Sequence, residues 1–213
     1  VIGYYRAAAG RAKAAGLDGV ELHSANGYLS DTFLQDGTNK RSDAYGGTIA
    51  KRARFMLEVV AVLVEVWGAD KVGVRLSPSG QWGSISDSDP EATFSHAARE
   101  LDKFGLAYLH IIEPRVKGVE TLDERPPVAA ESLRKVFSGP IISAGGFNGD
   151  SAEAIVRQGD ADLVAFGRFF ASNPDLPYRL RHKLPLNHYD RDAFWGGTDV
   201  GYTDYPEWNA SVV

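Results

Sequence analysis

Five short apolar runs recur along the chain, each followed by a polar stretch and then by a helical pattern. They begin near residues 19, 72, 107, 140 and 162: Gly19-Val20-Glu21-Leu22, Val72-Gly73-Val74-Arg75-Leu76, Ala107-Tyr108-Leu109-His110-Ile111-Ile112, Pro140-Ile141-Ile142-Ser143 and Asp162-Leu163-Val164-Ala165-Phe166. Strand then helix, repeated in series, builds a parallel sheet with helices outside it. The helical stretches carry their own signals. Thr48 stands as N-cap before Ile49, Ala53, Met56, Val60, Leu63 and Trp67, and Asp89-Pro90-Glu91 opens a second helix that stops at Gly105. Further helices are expected over 1–15, near 129–137 after a Pro126-Pro127 loop and over 150–158, and Asn173-Pro174-Asp175 is expected to cap the last one. Residues 23–47 read as one long loop, and the tail from Leu184 as an ordered loop.

An open doubly wound sheet accommodates this count. A closed (β/α)8 barrel fits better, because every polar constellation follows the C-terminal end of a strand, which is where barrels carry their chemistry. A barrel needs eight strands, so this single-domain α/β chain reads as its later part, with three strands missing. The chain does not open on Met and starts inside a helical pattern, which suggests that a segment upstream is absent.

The stretch His23-Ser24-Ala25-Asn26-Gly27-Tyr28 ends the first run and supplies an imidazole, a carboxamide, a turn glycine and a phenol. His23 and Asn26 can donate hydrogen bonds, and Tyr28 can donate a proton. Ala144-Gly145-Gly146 and Gly167-Arg168 follow two successive strands, the place where barrels often bind phosphate on backbone N–H groups. A tight turn is the alternative use of the glycine pair. Arg75 arises inside an apolar strand, so its guanidinium needs an ion-pair partner on a neighbouring strand or a ligand. His110 reads as a core or supporting residue, since no metal-ligand spacing surrounds it.

Bulk properties exclude several classes. The formal charge of -5 gives no basic footprint, so nucleic acid is not an expected partner. The chain has no cysteine, which excludes disulfides and iron–sulfur ligation by this chain and fits a cytoplasmic location. No apolar run approaches the length of a membrane span, so no membrane association is expected.

The motifs Val20 to Leu29, Asn39-Lys40-Arg41-Ser42-Asp43-Ala44-Tyr45-Gly46-Gly47, Val74-Arg75-Leu76-Ser77-Pro78, Ser143 to Phe147, Ala165 to Arg168 and Gly201 to Pro206 fall in one order over nearly the whole chain. In that order the chain resembles the Old Yellow Enzyme family, FMN-dependent ene-reductases built on an eight-stranded barrel. The resemblance implies that these are strands four to eight. It implies that His23 and Asn26 hold a substrate carbonyl or nitro oxygen and that Tyr28 is the proton donor. Arg75 would lie against the flavin, Gly145, Gly146, Gly167 and Arg168 would hold the FMN phosphate, and Trp82 and Trp195 would wall the substrate pocket. The implied reaction is a ping-pong reduction of activated C=C bonds in enones and nitro compounds, with NAD(P)H as reductant. The family's first strands supply further flavin contacts absent here, so a second polypeptide or a missing N-terminal segment is expected to complete the barrel. Two alternatives are a non-catalytic barrel fragment needing a partner chain, and the barrel of a dienoyl reductase or amine dehydrogenase type of flavoprotein. The lack of cysteine argues against the latter.

Overall fold

The computed structural model describes residues 1–80, 82–114, 116–117, 120–121, 128–196 and 198–208; the expected Pro126-Pro127 loop lies outside them. In chain order the helices are α1 (Ile2–Ala14), α2 (Leu29–Leu34), α3 (Ile49–Trp67), α4 (Pro90–Asp102), α5 (Ala130–Arg134), α6 (Gly149–Gln158), α7 (Arg168–Ser172) and α8 (Leu176–His182). The strands β1 (Val20–Ser24), β2 (Val72–Leu76), β3 (Tyr108–Ile112), β6 (Ile141–Ala144) and β7 (Leu163–Ala165) form one sheet in that order, every pair parallel. A short antiparallel hairpin, β4 (Val116–Lys117) with β5 (Glu120–Thr121), follows β3.

Strand order follows chain order without reversal. A doubly wound sheet reverses at a switch point and carries helices on both faces. Here Leu22, Val74, Leu109, Ile111 and Ile141 are buried in one core with Met56, Val59 and Leu63 of α3, Phe94 and Leu101 of α4, Leu133 of α5 and Ile155 of α6. The alternate residues Glu21, His23, Arg75, Tyr108 and His110 belong to the other face. All the helices in that core therefore cover the same side, and the polar row occupies the concave side. This is the layering of a barrel segment. Among the described residues β1 and β7 are each paired on one side only, and Leu163 of β7 is 57% exposed.

Helix α3 anchors the core, and Arg52 on it ties three loops together. Its Nε donates to the Leu34 carbonyl (2.8 Å), Nη1 to the Gly47 carbonyl (2.8 Å), and Nη2 to Thr93 Oγ1 (2.9 Å) and Asp87 Oδ2 (3.3 Å). Helix α1 docks on α3, where the buried Trp67 indole N–H donates to the Ala9 carbonyl at 3.1 Å. Asp89 caps α4 by accepting from the Ala92 N–H, and Asn148 with Ser151 forms a reciprocal cap on α6.

Two expectations are corrected. Residues 23–47 are not one loop: they contain α2, whose six residues are too few to show a helical repeat. Asp175 stands at the N-cap of α8, but its carboxylate accepts from Arg179 Nε (2.7 Å) and the Trp208 N–H (2.8 Å) instead of capping the helix.

Candidate active site

The site begins where β1 ends. His23 is itself a strand residue, on the concave face and directly opposite Arg75 of β2. After Ala25 the chain turns through two successive left-handed residues, Asn26 (φ 56) and Gly27 (φ 76). Gly27 is required twice over. Its φ suits glycine, and a Cβ there would stand 2.8 Å from the Trp82 carbonyl oxygen. The turn delivers Tyr28 as N-cap of α2, 63% exposed, with its ring 5.0 Å from that of His23. The imidazole of His23, the carboxamide of Asn26 and the hydroxyl of Tyr28 make no hydrogen bonds among the described residues, so all three are available to a ligand.

Burial, then the neighbouring Arg75 charge, hold the His23 imidazole below its ordinary proton affinity, with Glu21 opposing. His23 therefore presents a neutral imidazole at neutral pH, able to donate one N–H to an oxygen. Arg75 is half-buried. Its Nε has no hydrogen-bond partner and no carboxylate lies within ion-pair distance among the described residues. Burial depresses its proton affinity and the Glu21 charge partly restores it. The ion pair that a strand arginine could have made is not there. A buried, unmatched guanidinium N–H can serve an acceptor brought by a ligand.

Beneath this row lies a second polar layer. His110, opposite Arg75 on β3, bonds through Nδ1 to Glu21 Oε2 at 2.9 Å, and Tyr108 also hydrogen-bonds Glu21. A carboxylate only accepts, so Nδ1 of His110 carries the hydrogen. Burial pushes the Tyr108 phenol up to about 12, aided by the Glu21 charge. Burial pushes Glu21 up too, but His110, Tyr108 and Arg75 outweigh it and hold the carboxyl below its usual range. His110 thus braces Glu21 through Nδ1, while its Nε2 is buried without a hydrogen-bond partner among the described residues.

The glycine turn after β6 and the Gly167-Arg168 corner after β7 are neighbours, because Ala144 pairs with Ala165. Gly145 and Gly146 adopt φ 109 and 68. Arg168 opens α7; its Nη1 donates to the Tyr189 hydroxyl at 3.5 Å, and its guanidinium lies 5.8 Å from the centre of that ring. Arg191 stacks on the same ring, also at 5.8 Å. Hydrogen bonding from Arg191, then from Arg168, lowers the Tyr189 phenol against the effect of burial. Trp82 lies in a short turn against Gly27 and is 55% exposed. Trp195 lies in the tail at φ 66 with its side chain in solvent, 93% exposed, while its backbone N–H donates to the Tyr202 hydroxyl.

Sequence reasoning missed the residues that hold the turn. Asp31 of α2, fully buried, accepts from the Gly27 N–H (2.9 Å) and Ser77 Oγ (3.3 Å), and Ser77 accepts from the Asn26 N–H (2.8 Å). The local signal was a polar Ser30-Asp31-Thr32 run between Leu29 and Phe33-Leu34, which marks polarity and not burial.

Residues 1–187 match the model of the NADH:flavin oxidoreductase / NADH oxidase family. The chain belongs to that family. Among curated relatives, Putative 12-oxophytodienoate reductase 11 of Oryza sativa subsp. japonica is 48% identical over 207 residues, covering 97% of this chain and 56% of that protein. Among solved structures, morphinone reductase in complex with tetrahydroNAD superposes with a TM-score of 0.90 at 46% identity, covering 99% of this chain and 56% of that one. The old yellow enzyme homologue from Zymomonas mobilis gives 0.91 at 38% identity, covering 96% and 57%. The chain spans about half the length of the curated relatives it matches. Its five strand–helix units are thus part of the TIM barrel of this flavin oxidoreductase family.

Proposed function

We propose that this chain carries the substrate half of an FMN-dependent ene-reductase driven by NAD(P)H. The observation that carries the reading is the pairing of His23 with Arg75 on the concave face. It sets an unbonded donor cluster (His23, Asn26, Tyr28) beside a buried guanidinium whose Nε lacks a partner among the described residues. That orphaned donor fits the carbonyl and ring-nitrogen edge of a flavin, and Arg75 beside that edge would favour negative charge on it. Gly145, Gly146, Gly167 and Arg168, adjacent at the ends of β6 and β7, would hold the FMN phosphate through backbone N–H groups and one charge.

When bound, the flavin supplies hydride acceptance from NAD(P)H and hydride delivery to the β-carbon of the substrate alkene. His23 and Asn26 would donate to the carbonyl or nitro oxygen, holding it as negative charge develops there. Tyr28 would give its proton to the α-carbon, and the resulting phenolate would recover a proton from water. One product leaves before the other substrate enters, which makes the cycle ping-pong. Trp82, beside Gly27, would limit substrate size; Trp195 would need to fold in from the tail. The remaining barrel strands would come from polypeptide beyond this chain, covering the open β1 and β7 edges.

The test is a two-step anaerobic titration of the completed, FMN-loaded protein. NADH or NADPH should bleach the yellow flavin absorbance, and 2-cyclohexenone or a nitroalkene should restore it without oxygen. A protein that takes up no FMN, or whose reduced flavin is not reoxidised by any enone or nitroalkene, overturns the proposal.

A further inference from the structure

We infer that Asp31 is a positioning residue for the substrate-oxygen site, holding the turn that presents Asn26 and Tyr28. The inference rests on the role proposed above for those two residues, and the geometry behind it lies within the chain's own described residues.

Asn26 and Gly27 are consecutive left-handed residues, a conformation that costs free energy at the non-glycine position and persists only where surrounding structure fixes it. Asp31 supplies that fixation. One carboxylate oxygen takes both the Gly27 N–H and the Ser77 hydroxyl, while Ser77 takes the Asn26 N–H. The other oxygen accepts from Gln35 Nε2 at 2.8 Å. A single buried carboxylate therefore reaches both strained residues, directly at Gly27 and through Ser77 at Asn26. Ser77 follows β2 directly, so the same bonds set the turn after β1 against the strand that carries Arg75.

The direct partners of Asp31 are all neutral donors. The charged group that acts on it most is Asp87, which repels it and is itself paired with Arg52 at 3.3 Å. Burial, helped by Asp87, pushes the Asp31 carboxyl up to about 6 against the pull of its hydrogen bonds. Above that pH the carboxylate accepts from every donor around it. Below it the group is neutral. A proton on the oxygen facing Gln35 is met by a flip of the Gln35 amide, and one on the other oxygen displaces the Gly27 or Ser77 bond. In either case the acceptor that faces the turn loses the charge that strengthens its hydrogen bonds. His23 also titrates in the acid range, so pH alone does not separate the two groups; substitution does.

The test compares wild type with Asp31→Asn in the FMN-loaded protein. This change keeps the shape, and Gln35 can flip its amide to accept from the new one. Two signals are read from about pH 5 to about pH 8: the Gly27 backbone amide resonance by NMR, and kcat/KM for 2-cyclohexenone, which does not titrate. In wild type the Gly27 resonance should move with a midpoint near 6, and kcat/KM should rise through the same midpoint. In Asp31→Asn the Gly27 midpoint should vanish. At neutral pH kcat/KM should fall several-fold, to the level that wild type reaches below its midpoint, with FMN content unchanged. The amide oxygen keeps the Gly27 and Ser77 bonds without the charge that strengthens them. Ser77→Ala, which cuts the link to Asn26 and leaves the carboxylate, should lower kcat/KM while keeping the Gly27 midpoint. The inference is overturned if Gly27 titrates alike in both proteins, or if Asp31→Asn keeps both wild-type kcat/KM and its pH step. Failure of the functional proposal shows itself separately, as a wild type that reduces no enone while Gly27 still titrates near 6.

Discussion

His23 and Arg75 are direct partners across the β1–β2 ladder, side chains on the same concave face of the sheet. Burial, together with the guanidinium, disfavours a proton on the imidazole, so the pair offers one cation and one neutral donor rather than two cations. That division would suit the proposed site, with the edge of an electron-rich ring against Arg75 and a substrate oxygen at His23. His23→Ala should abolish the charge-transfer absorbance that a phenol gives when it stacks on the bound flavin, and weaken phenol binding. Enone turnover should fall about 10²–10³-fold, the usual effect of losing one such donor. Phenol titrations followed by absorbance check it; unchanged phenol affinity would refute the contact.

Tyr28 stands 5.0 Å from His23, ring centre to ring centre, with its hydroxyl bonded to nothing among the described residues. Tyr28→Phe removes one exposed oxygen and leaves the ring contact. Flavin reduction by NAD(P)H should therefore continue at the wild-type rate while reoxidation by enones slows by about 10²-fold or more. Stopped-flow measurement of the two half-reactions separates these. Equal loss in both would place Tyr28 in binding rather than proton transfer.

Gly27→Ala introduces a Cβ at positive φ, 2.8 Å from the Trp82 carbonyl. The left-handed conformation alone costs an L-residue roughly 1–2 kcal/mol, and the backbone oxygen cannot swing aside as a flexible side chain could. The turn should shift, moving Asn26 and Tyr28 together. Enone kcat/KM should drop at least about tenfold, whereas FMN affinity should hold, since the phosphate loops lie two strands and more away. Flavin fluorescence titration and steady-state kinetics read the two effects independently.

Much of this was legible in the sequence, for reasons that particular elements make plain. The strands declare themselves because buried parallel strands are short apolar runs, and their order follows from serial strand–helix units. The donor cluster is legible because His23, Asn26 and Tyr28 lie within six residues. Arg75 could be singled out as a charge in an apolar strand, but not assigned: only the structure shows that Glu21 bonds His110 and leaves the Arg75 Nε unmatched. Asp31 was illegible because its role depends on Ser77, 46 residues away, and on a helix of six residues that shows no period. Burial of a carboxylate is a tertiary property, and no local pattern announces it.

Arg52 tests the scaffold rather than the chemistry. Its side chain is 7% exposed and the side chain of its partner Asp87 is fully buried, and through Leu34, Gly47 and Thr93 it joins the end of α2 to the starts of α3 and α4. Arg52→Ala leaves a buried carboxylate unpaired and strips donors from two backbone carbonyls. The expected loss is about 3–5 kcal/mol of folding stability, the usual penalty for removing one partner of a buried pair. Arg6, whose bond to Glu65 is exposed on α1 and α3, is the contrast: Arg6→Ala should leave the unfolding midpoint nearly unchanged. Urea unfolding of both variants decides the matter. If Arg52→Ala unfolds at the wild-type midpoint, the clasp is ornamental, and α2, with the Asp31 that it carries, must be held by its apolar contacts alone.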